Sequence, residues 1–478
     1  MMHVNVRGLR STLRRWLSVA SLWGVYGAIA HAQDSVAASP PSVPSLPIAP
    51  LPASPLPSAG PRVVPPKLPL LLVVEDTSIS DSLRTIIERD WTFGDRLDVI
   101  VLDSASRGQM GAFARDSSAT ETSTTDSILA AARQFNAAFV VRVRRRPNSI
   151  SASVFDVAKG TRLRRMTMET LWDDFGMIPR IEAHRLADQV EAWVTGVPGI
   201  AATRIAYVLD DVIHVIDSDG ANDYPVTTGG VSLSPAWHPR GTALVYSDLT
   251  DAGTQIVKID LVTGQHQVFT ASKRGLNITP VFTPRGDSIV YASASVRGSR
   301  LMIASASGKG KARVIPMQSA ALFHDIAAPV FSPDGKRIAF VASSPLYPQV
   351  YTMDRNGAHV KRLVPPSPNL RNERTAPDWS PDGSTIIYQQ QNRKFQVWAA
   401  HLAGGIADTV TRITDQAENE DPAWAPDSRH IVLTSNRGGE KELWVLDTYT
   451  GRWRQLTSTP GARLASWSPR LGWHGGTP

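Results

Sequence analysis

The densest group of side chains that could bind a metal ion is the acidic stretch Glu418-Asn419-Glu420-Asp421. Carboxylate and amide oxygens are the ligands that Ca²⁺ prefers, but a protein site for this ion collects them from several directions. We identify only one dense acidic stretch in the chain. A secreted hydrolase of the lactonase type, with a cation held near Glu418–Asp421, is therefore kept as an alternative rather than as the leading hypothesis.

The other residue types that commonly do chemistry are scattered along the chain. The 11 histidines form no His-Glu-x-x-His or His-x-His pair, and there is no cysteine. No nucleophile elbow of the form Gly-x-Ser-x-Gly and no glycine-rich phosphate loop is present. We therefore predict no catalytic residue, no cofactor and no metal, and the lack of thiolates excludes structural zinc or iron–sulfur sites built on cysteine.

The N-terminus has the features of a secretory signal. Four arginines before residue 16 are followed by the uncharged apolar run Trp16–Ala30 and by Ala30-His31-Ala32, a small-x-small cleavage pattern. The run is shorter than the roughly 20 residues of a membrane-spanning helix. We predict a signal peptide over 1–32 and an exported mature protein without membrane insertion. Arg14-Arg15 leaves twin-arginine export open.

The charge of the mature chain is mild. The whole chain carries +7, and residues 1–32 contain four arginines and no Lys, Asp or Glu, so cleavage leaves 7 − 4 = +3. Nucleic-acid binding needs a concentrated basic surface, so we expect no nucleic-acid partner. We also expect a monomer.

Composition divides the rest of the chain. Residues 33–67 are rich in Pro, Ser and Ala and predict a disordered, extended tether. Residues 68–197 alternate between strand and helix patterns and predict a small α/β domain that ends at Gly196-Val197-Pro198. His184, in its last helix, is interpreted as a packing residue rather than a site residue. Residues 473–478 are predicted to be a disordered tail.

From residue 198 to 472 the sequence repeats. A Pro-x-aromatic-polar-Pro segment recurs, with an Ala-Ser start in the last copy, and its aromatic residues are Trp237, Phe282, Phe331, Trp379, Trp424 and Trp467. They are 45, 49, 48, 45 and 43 residues apart, a period typical of propeller blades. Two segments continue as Pro-Asp-Gly, in which Asp334 and Asp382 are interpreted as turn residues. The pattern predicts a multidomain protein in which the α/β domain precedes an all-β six-bladed propeller.

The two ends of the repeat region complement each other. Three strands near Ile205–Val208, Val212–Ile216 and Asp223–Val226 have no inner strand before them, and the last motif, Ala465–Pro469, has no strand after it. We expect these to form one composite blade, which closes the ring and removes exposed sheet edges.

The repeat, the α/β domain and the junction between them together resemble the TolB family over residues 68–471. The junction that carries the resemblance runs from Ala183-His184-Arg185 through Thr195-Gly196-Val197-Pro198-Gly199 to Tyr207. The resemblance implies a non-enzymatic periplasmic protein of the Tol–Pal system, which supports outer-membrane integrity and constriction during division. It implies binding of a peptidoglycan-associated lipoprotein at one propeller mouth. A TolA contact through the N-terminus is also implied, but the Pro-rich tether replaces the segment that makes it, which puts that contact in doubt.

The segments just before the inner strands should surround that mouth. Polar and charged groups there suit a protein partner. A structural lid for a larger envelope assembly is a third alternative. The candidate partner-binding residues are Asn277, Thr279, Asp325, Glu373, Glu420 and Asp421.

Overall fold

The computed structural model describes residues 65–74, 80–102, 106, 121–146, 148–169, 179–250, 253–272, 276–295, 298–318, 320–323, 325–343, 347–365, 372–403 and 406–472. The predicted signal peptide, nearly all of the predicted tether and the tail lie outside these residues. The described residues form two compact units. The α/β unit comprises 65–205, 216–223 and 468–472, and the propeller unit comprises 206–215 and 224–467.

A five-stranded sheet with order β2-β1-β3-β4-β5 forms the centre of the α/β unit. β1 is parallel to β2 and β3, whereas β3, β4 and β5 are antiparallel neighbours. The strands are β1 (Leu68–Val74), β2 (Leu97–Ile100), β3 (Phe139–Arg146), β4 (Ser149–Asp156) and β5 (Thr161–Glu169). The helices are α1 (Ser80–Gly94), α2 (Glu121–Gln134) and α3 (Arg180–Thr195).

The run of apolar residues in β1 is explained by burial on both faces of this sheet. Leu70 and Leu72 lie in one core cluster with α1 and α3, and Leu71 and Val73 lie in a second cluster with α2. A central parallel strand is covered by helices on both sides, so it needs apolar residues at consecutive positions rather than at alternate ones.

The junction after α3 is held by one buried carboxylate. α3 ends at Gly196, whose φ of 77° is left-handed. The oxygens of Asp188 accept the backbone amides of Ala201 and Ala202 at 2.8 and 2.9 Å. A Cβ on Gly199 would lie 2.3 Å from Asp188 Oδ1, so this turn requires glycine.

The propeller unit consists of six four-stranded antiparallel sheets, named blades 1 to 6. Blade 1 contains β9 (Val231–Trp237), β10 (Ala243–Thr250), β11 (Gly253–Asp260) and β12 (His266–Ser272). Blade 2 contains β13 (Leu276–Phe282), β14 (Ser288–Ser295), β15 (Gly298–Ser305) and β16 (Arg313–Val314). Blade 3 contains β17 (Ile326–Phe331), β18 (Arg337–Ser343), β19 (Pro348–Asp354) and β20 (Lys361–Arg362).

The remaining blades follow the same order, except for the last. Blade 4 contains β21 (Arg374–Trp379), β22 (Thr385–Asn392), β23 (Lys394–Ala403) and β24 (Ile406–Arg412). Blade 5 contains β25 (Asn419–Trp424), β26 (His430–Ser435), β27 (Glu442–Asp447) and β28 (Trp453–Gln455). Blade 6 is ordered β29-β6-β7-β8, from β29 (Arg463–Trp467), β6 (Arg204–Leu209), β7 (Val212–Asp217) and β8 (Tyr224–Pro225). It therefore joins strands from both ends of the repeat region. A short 3₁₀ helix, Ala320–Leu322, precedes blade 3.

The turn after each inner strand is built locally. In blades 3 and 4, Ser332 and Ser380 donate to Asp334 and Asp382 at 2.7 and 2.6 Å. Ser428, where the repeat elsewhere has glycine, adopts the left-handed φ of 56°. The Pro-Asp-Gly aspartates therefore cap turns.

Candidate functional site: the propeller channel and its mouth

A ring of six residues in left-handed conformation surrounds the centre of the propeller. Each of these residues lies three positions before the aromatic residue of its repeat, and φ lies between 49° and 53° at all six. They line a cavity of about 290 Å³, the channel. The six residues are Ser234, Thr279, Ala328, Ala376, Asp421 and Leu464.

The left-handed residues coincide with bulges in the inner strands. The pairing register shifts at this place between the first and second strands of blades 1 to 5. A bulge leaves an extra residue outside the ladder and bends the strand. Left-handed backbone is costly for residues other than glycine, so its repetition indicates that surrounding contacts hold it.

Hydrogen bonds between neighbouring blades provide those contacts. The Thr279 amide donates to the Ser247 hydroxyl at 3.1 Å, and the Ala328 amide donates to the Thr279 hydroxyl at 2.9 Å. The Asp421 amide donates to Gln389 Oε1 at 2.7 Å. In each inner strand, the bulge leaves a backbone amide without its usual partner in the sheet. In these three bonds, a side chain of the preceding blade accepts from that amide.

Two carboxylates line the channel, Asp378 in blade 4 and Asp421 in blade 5. Asp378 accepts the amides of Trp379 and Trp424 at 3.0 and 2.7 Å. Burial raises the pKa of Asp378 to about 7 even though these amides favour its charged form. Backbone amides of two blades, 4 and 5, therefore stabilise the charged form of Asp378.

Asp421 is in a different situation. Its side chain is 5 % exposed, and neither carboxylate oxygen has a hydrogen-bond partner among the described residues. Burial, reinforced by the neighbouring charge of Glu420, raises the pKa of Asp421 to about 7, while the charges of Lys441 and Arg463 and the backbone amide of Leu464 oppose the shift. This carboxylate thus lines the channel with the Leu464 amide nearby but without a hydrogen bond of ordinary geometry.

A second group of charges lies next to Asp421, at the end of the channel where the inner strands begin. We call this end the mouth. Lys441 Nζ donates to Glu420 Oε1 at 2.8 Å and lies 3.9 Å from Glu418. Burial raises the pKa of Glu420, and Glu418 adds to the shift, whereas Lys441 lowers it. Burial opposes the charge of Lys441, but Glu420, Glu418 and Asp421 together raise its pKa.

The structure places the remaining predicted residues along the same end of the blades. Asn277 is 3 % exposed, and its backbone amide donates to the Thr254 hydroxyl at 2.8 Å. Asp325 is half-buried and accepts from the Ser343 amide and hydroxyl at 3.1 and 3.2 Å. Glu373 is half-buried, and burial raises its pKa.

One aspect of the sequence interpretation needs correction. The prediction put Asn277, Thr279, Glu420 and Asp421 in loops, but they lie within inner strands β13 and β25 and are buried. The bulge adds a residue to each inner strand, so the strand begins earlier than its apolar pattern suggests. Asp325 and Glu373 do precede their strands. The binding role assigned to all six residues stays a prediction.

Comparison with known proteins agrees with this architecture. The TolB beta-propeller domain family matches residues 192–471, more than half of the chain. The protein belongs to the TolB propeller family. The match ends at residue 471, within the last segment of the α/β unit.

Individual TolB proteins are similar over shorter stretches. The Tol–Pal system protein TolB of Bordetella pertussis is 28 % identical over 294 residues, which are 60 % of this chain and 64 % of the relative. The chain thus spans somewhat less than two thirds of that relative. TolB of Azoarcus sp. is 42 % identical over 94 residues, 19 % of this chain and 22 % of its own. The crystal structure of TolB from Acinetobacter baumannii has a TM-score of 0.66 at 21 % identity, covering 85 % of this chain and 97 % of that one, and shows the same fold.

Sequence reasoning missed two members of this TolB-family site, Asp378 and Lys441. Asp378 follows Pro377 in the fourth repeat, where the other five repeats have Ala, Val or Ser, so a charged residue at that position was a usable signal. Lys441 is 21 residues beyond Glu420 and reaches its carboxylate only through the hairpin between β26 and β27. No local pattern marks it.

The α/β unit of this TolB-family chain contains a second cluster of potential ligands. His184 is 1 % exposed, and its Nδ1 lies 2.7 Å from Asp90 Oδ2. His184, Asp90 and Asp219 each have one ligand atom within 4.8 Å of the others. Arg89 and Arg180 both donate to Asp219, so two guanidinium groups already supply positive charge here. The cluster is better described as a buried ion-pair network than as a metal centre.

Among the described residues, no helix is long and apolar enough to cross a membrane.

Proposed function

We propose that this chain is a non-enzymatic periplasmic docking protein of the Tol–Pal system, which binds a peptidoglycan-associated lipoprotein at the mouth of its propeller. Through this contact it would support outer-membrane integrity and constriction during cell division. Membership of the TolB propeller family supports the proposal, as do relatives named as Tol–Pal system proteins. The predicted signal peptide supports the periplasmic location.

The observation that carries the proposal is the buried carboxylate of Asp421, which lines the channel without a hydrogen bond of ordinary geometry among the described residues. A buried carboxylate that is incompletely hydrogen-bonded lowers stability, because it has lost hydration without a full set of donors in exchange. Such a group is retained where a ligand supplies the missing donors. Asp421 lies beside Glu420 and Lys441 at the mouth, so a partner segment entering there could donate backbone or side-chain N–H groups to it.

The hydrolase alternative has less support. A cation of the predicted kind would need several oxygen ligands that are free to coordinate. Of the two carboxylates that line the channel, Asp378 uses both of its oxygens on backbone amides. Glu420 binds Lys441. From the acidic stretch Glu418–Asp421, only Asp421 is left facing the channel, which favours docking over hydrolysis.

A contact with a TolA-like inner-membrane protein is not included in the proposal. The predicted tether occupies the place of the segment that the resemblance implies for it.

Calorimetric titration of the peptidoglycan-associated lipoprotein from the same cell against the mature chain tests the proposal. Asp325→Ala and Glu373→Ala are the cleanest variants, because both residues are half-buried and precede their strands. Loss of a buried polar contact should weaken binding by roughly 1–3 kcal/mol. For the buried positions, the affinity is measured together with the melting temperature of each variant, because a loss of binding could also come from a loss of folding. These variants are Asn277→Ala, Thr279→Ala and Glu420→Ala.

Asp408→Ala is the matched control, because Asp408 is exposed on the outer strand of blade 4. It should bind like the unmodified chain. Equal affinity for all variants would move the interface away from the mouth, and no binding by the unmodified chain would reject the proposed partner.

A further inference from the structure

Two arginines meet between blades 3 and 4 without a carboxylate. Arg362 lies on β20, and Arg374 is the first residue of β21. Arg362 Nη2 donates to Gln349 Oε1 at 2.6 Å, and Arg374 Nη1 donates to the same oxygen at 3.2 Å. Arg374 Nε also donates to Gln390 Oε1 at 2.7 Å. A single neutral amide oxygen is thus shared by two cations.

The surroundings of both guanidinium groups disfavour their positive charge. Arg374 is 7 % exposed, while Arg362 is half-buried. Burial lowers the pKa of both guanidinium groups, and the charge of Arg362 lowers that of Arg374 further, with only tyrosines acting in the other direction. Among the described residues, neither arginine forms an ion pair with Asp or Glu. The adjoining segments 344–346 and 366–371 contain no acidic residue either.

Further donors in the same place lack acceptors. Asn372 is 7 % exposed, and its backbone carbonyl oxygen accepts from Gln349 Nε2 at 2.6 Å. The side-chain nitrogen of Asn372 is buried without a partner among the described residues. Arg362 Nε and the Tyr388 hydroxyl are also buried and unpartnered within that part of the chain. Native proteins satisfy nearly all buried polar groups, so three unpaired donors beside two arginines without a carboxylate partner among the described residues indicate a missing acceptor of negative charge.

We infer that Arg362, Arg374 and Asn372 form a carboxylate-binding site, which receives an Asp or Glu side chain from an acidic segment of a docked protein. A carboxylate presents two acceptor oxygens to the forked donors of arginine. Arg362 is half-buried, so the site opens on the side of the outermost strand of blade 3. At the mouth end, Gln349 is the second residue of β19, and Arg374, next to Glu373, is the first residue of β21. That a protein supplies the carboxylate rests on the docking function proposed above.

The test uses a fluorescein-labelled peptide of six glutamates and the mature chain, with fluorescence anisotropy as the readout. The six-glutamine peptide controls for the backbone. Arg362→Gln is the main variant, because Gln349 Oε1 keeps its bond from Arg374. Arg285→Gln removes the same charge from an exposed turn at the opposite end of blade 2 and is the matched control.

The glutamate peptide should bind the unmodified chain, and Arg362→Gln should weaken it about tenfold or more, as expected for loss of a charge-assisted hydrogen bond. Arg285→Gln should bind like the unmodified chain. The melting temperature of Arg362→Gln should be equal or higher, because repulsion between two buried cations is relieved; a purely structural arginine would lower it. Arg362→Lys should restore only part of the affinity.

Equal affinity for the glutamate and glutamine peptides, or equal weakening by Arg362→Gln and Arg285→Gln, would overturn the site. Competition by inorganic phosphate at lower concentration than by the glutamate peptide would overturn the carboxylate assignment. The assay contains no lipoprotein, so failure of the proposed lipoprotein contact would leave its result unaffected.

Discussion

The backbone amide of Ala328 in blade 3 donates to the hydroxyl of Thr279 in blade 2 at 2.9 Å. Both residues are left-handed members of the channel ring. Neighbouring blades are therefore linked by side chain to backbone hydrogen bonds as well as by apolar contact.

Replacing Thr279 by Val should destabilise the propeller, because the methyl group fills the space of the hydroxyl but leaves the Ala328 amide unpaired. A loss of roughly 1–3 kcal/mol is expected. Urea unfolding followed by tryptophan fluorescence measures it. Thr279→Ser keeps the hydroxyl and should unfold close to the unmodified chain; equal midpoints for Val and Ser would show that the bond contributes nothing.

Asp421→Asn should stabilise the chain at pH 8. The folded pKa of Asp421, about 7, is above its value of 3.8 in an unfolded chain. Folding therefore favours the protonated acid, and the stability that this acid contributes is complete below about pH 4 and is lost as pH rises through 7. Removing the charge should raise stability at pH 8 by about 2–4 kcal/mol.

The measurement is the urea midpoint of both proteins at pH 5 and pH 8. The gap between them should widen at pH 8. A variant that is less stable than the unmodified chain at pH 8 would show that Asp421 has a stabilising partner.

His184→Gln should destabilise the α/β unit more at pH 6 than at pH 9. Burial opposes the charged imidazole, but Asp90 and then Asp219 outweigh it and raise the pKa of His184, with Arg180 opposing. A raised histidine pKa gives stability that is fully present below about pH 6.5 and disappears as pH rises through the folded value. Calorimetric unfolding at the two pH values tests the sign; a larger effect at pH 9 would contradict it.

Gly199→Ala should destabilise the junction by roughly 1–3 kcal/mol, because the new methyl group would overlap Asp188 Oδ1 and approach its Cα to 3.1 Å. Gly438→Ala is the control, since the atoms nearest to its methyl group, on Trp444 and Glu442, would be 3.3 and 3.5 Å away. Thermal unfolding by circular dichroism compares them. Equal melting temperatures would mean that the junction can rearrange.

The repeat period correctly predicts the six sheets of the propeller, because every blade places one aromatic residue at the same position of its inner strand. Local pattern is less informative where tertiary contacts decide. The C-terminal end of α1, which extends to Gly94, is an example. Trp91 is fully buried there and donates to the Ala187 carbonyl at 3.0 Å, a contact that only the folded unit provides.

The site is predicted less completely than the fold. Asp421 and Glu420 stand out as part of a dense acidic stretch, but their burial depends on a bulge that leaves no signature in residue types. Arg362 and Arg374 are 12 positions apart and meet only because adjacent blades face each other. Their shared acceptor, Gln349, is on a third strand. Such groupings follow from blade geometry and not from spacing along the chain.

Hydrogen–deuterium exchange of the mature chain, with and without saturating peptidoglycan-associated lipoprotein, tests the docking account most directly. The account predicts slower exchange on binding in peptides that cover 276–279, 325–328, 372–376 and 418–421, because these segments are far apart in sequence and meet only at the mouth. Unchanged exchange there, together with protection confined to the outer strands β12, β16 and β24, would contradict it.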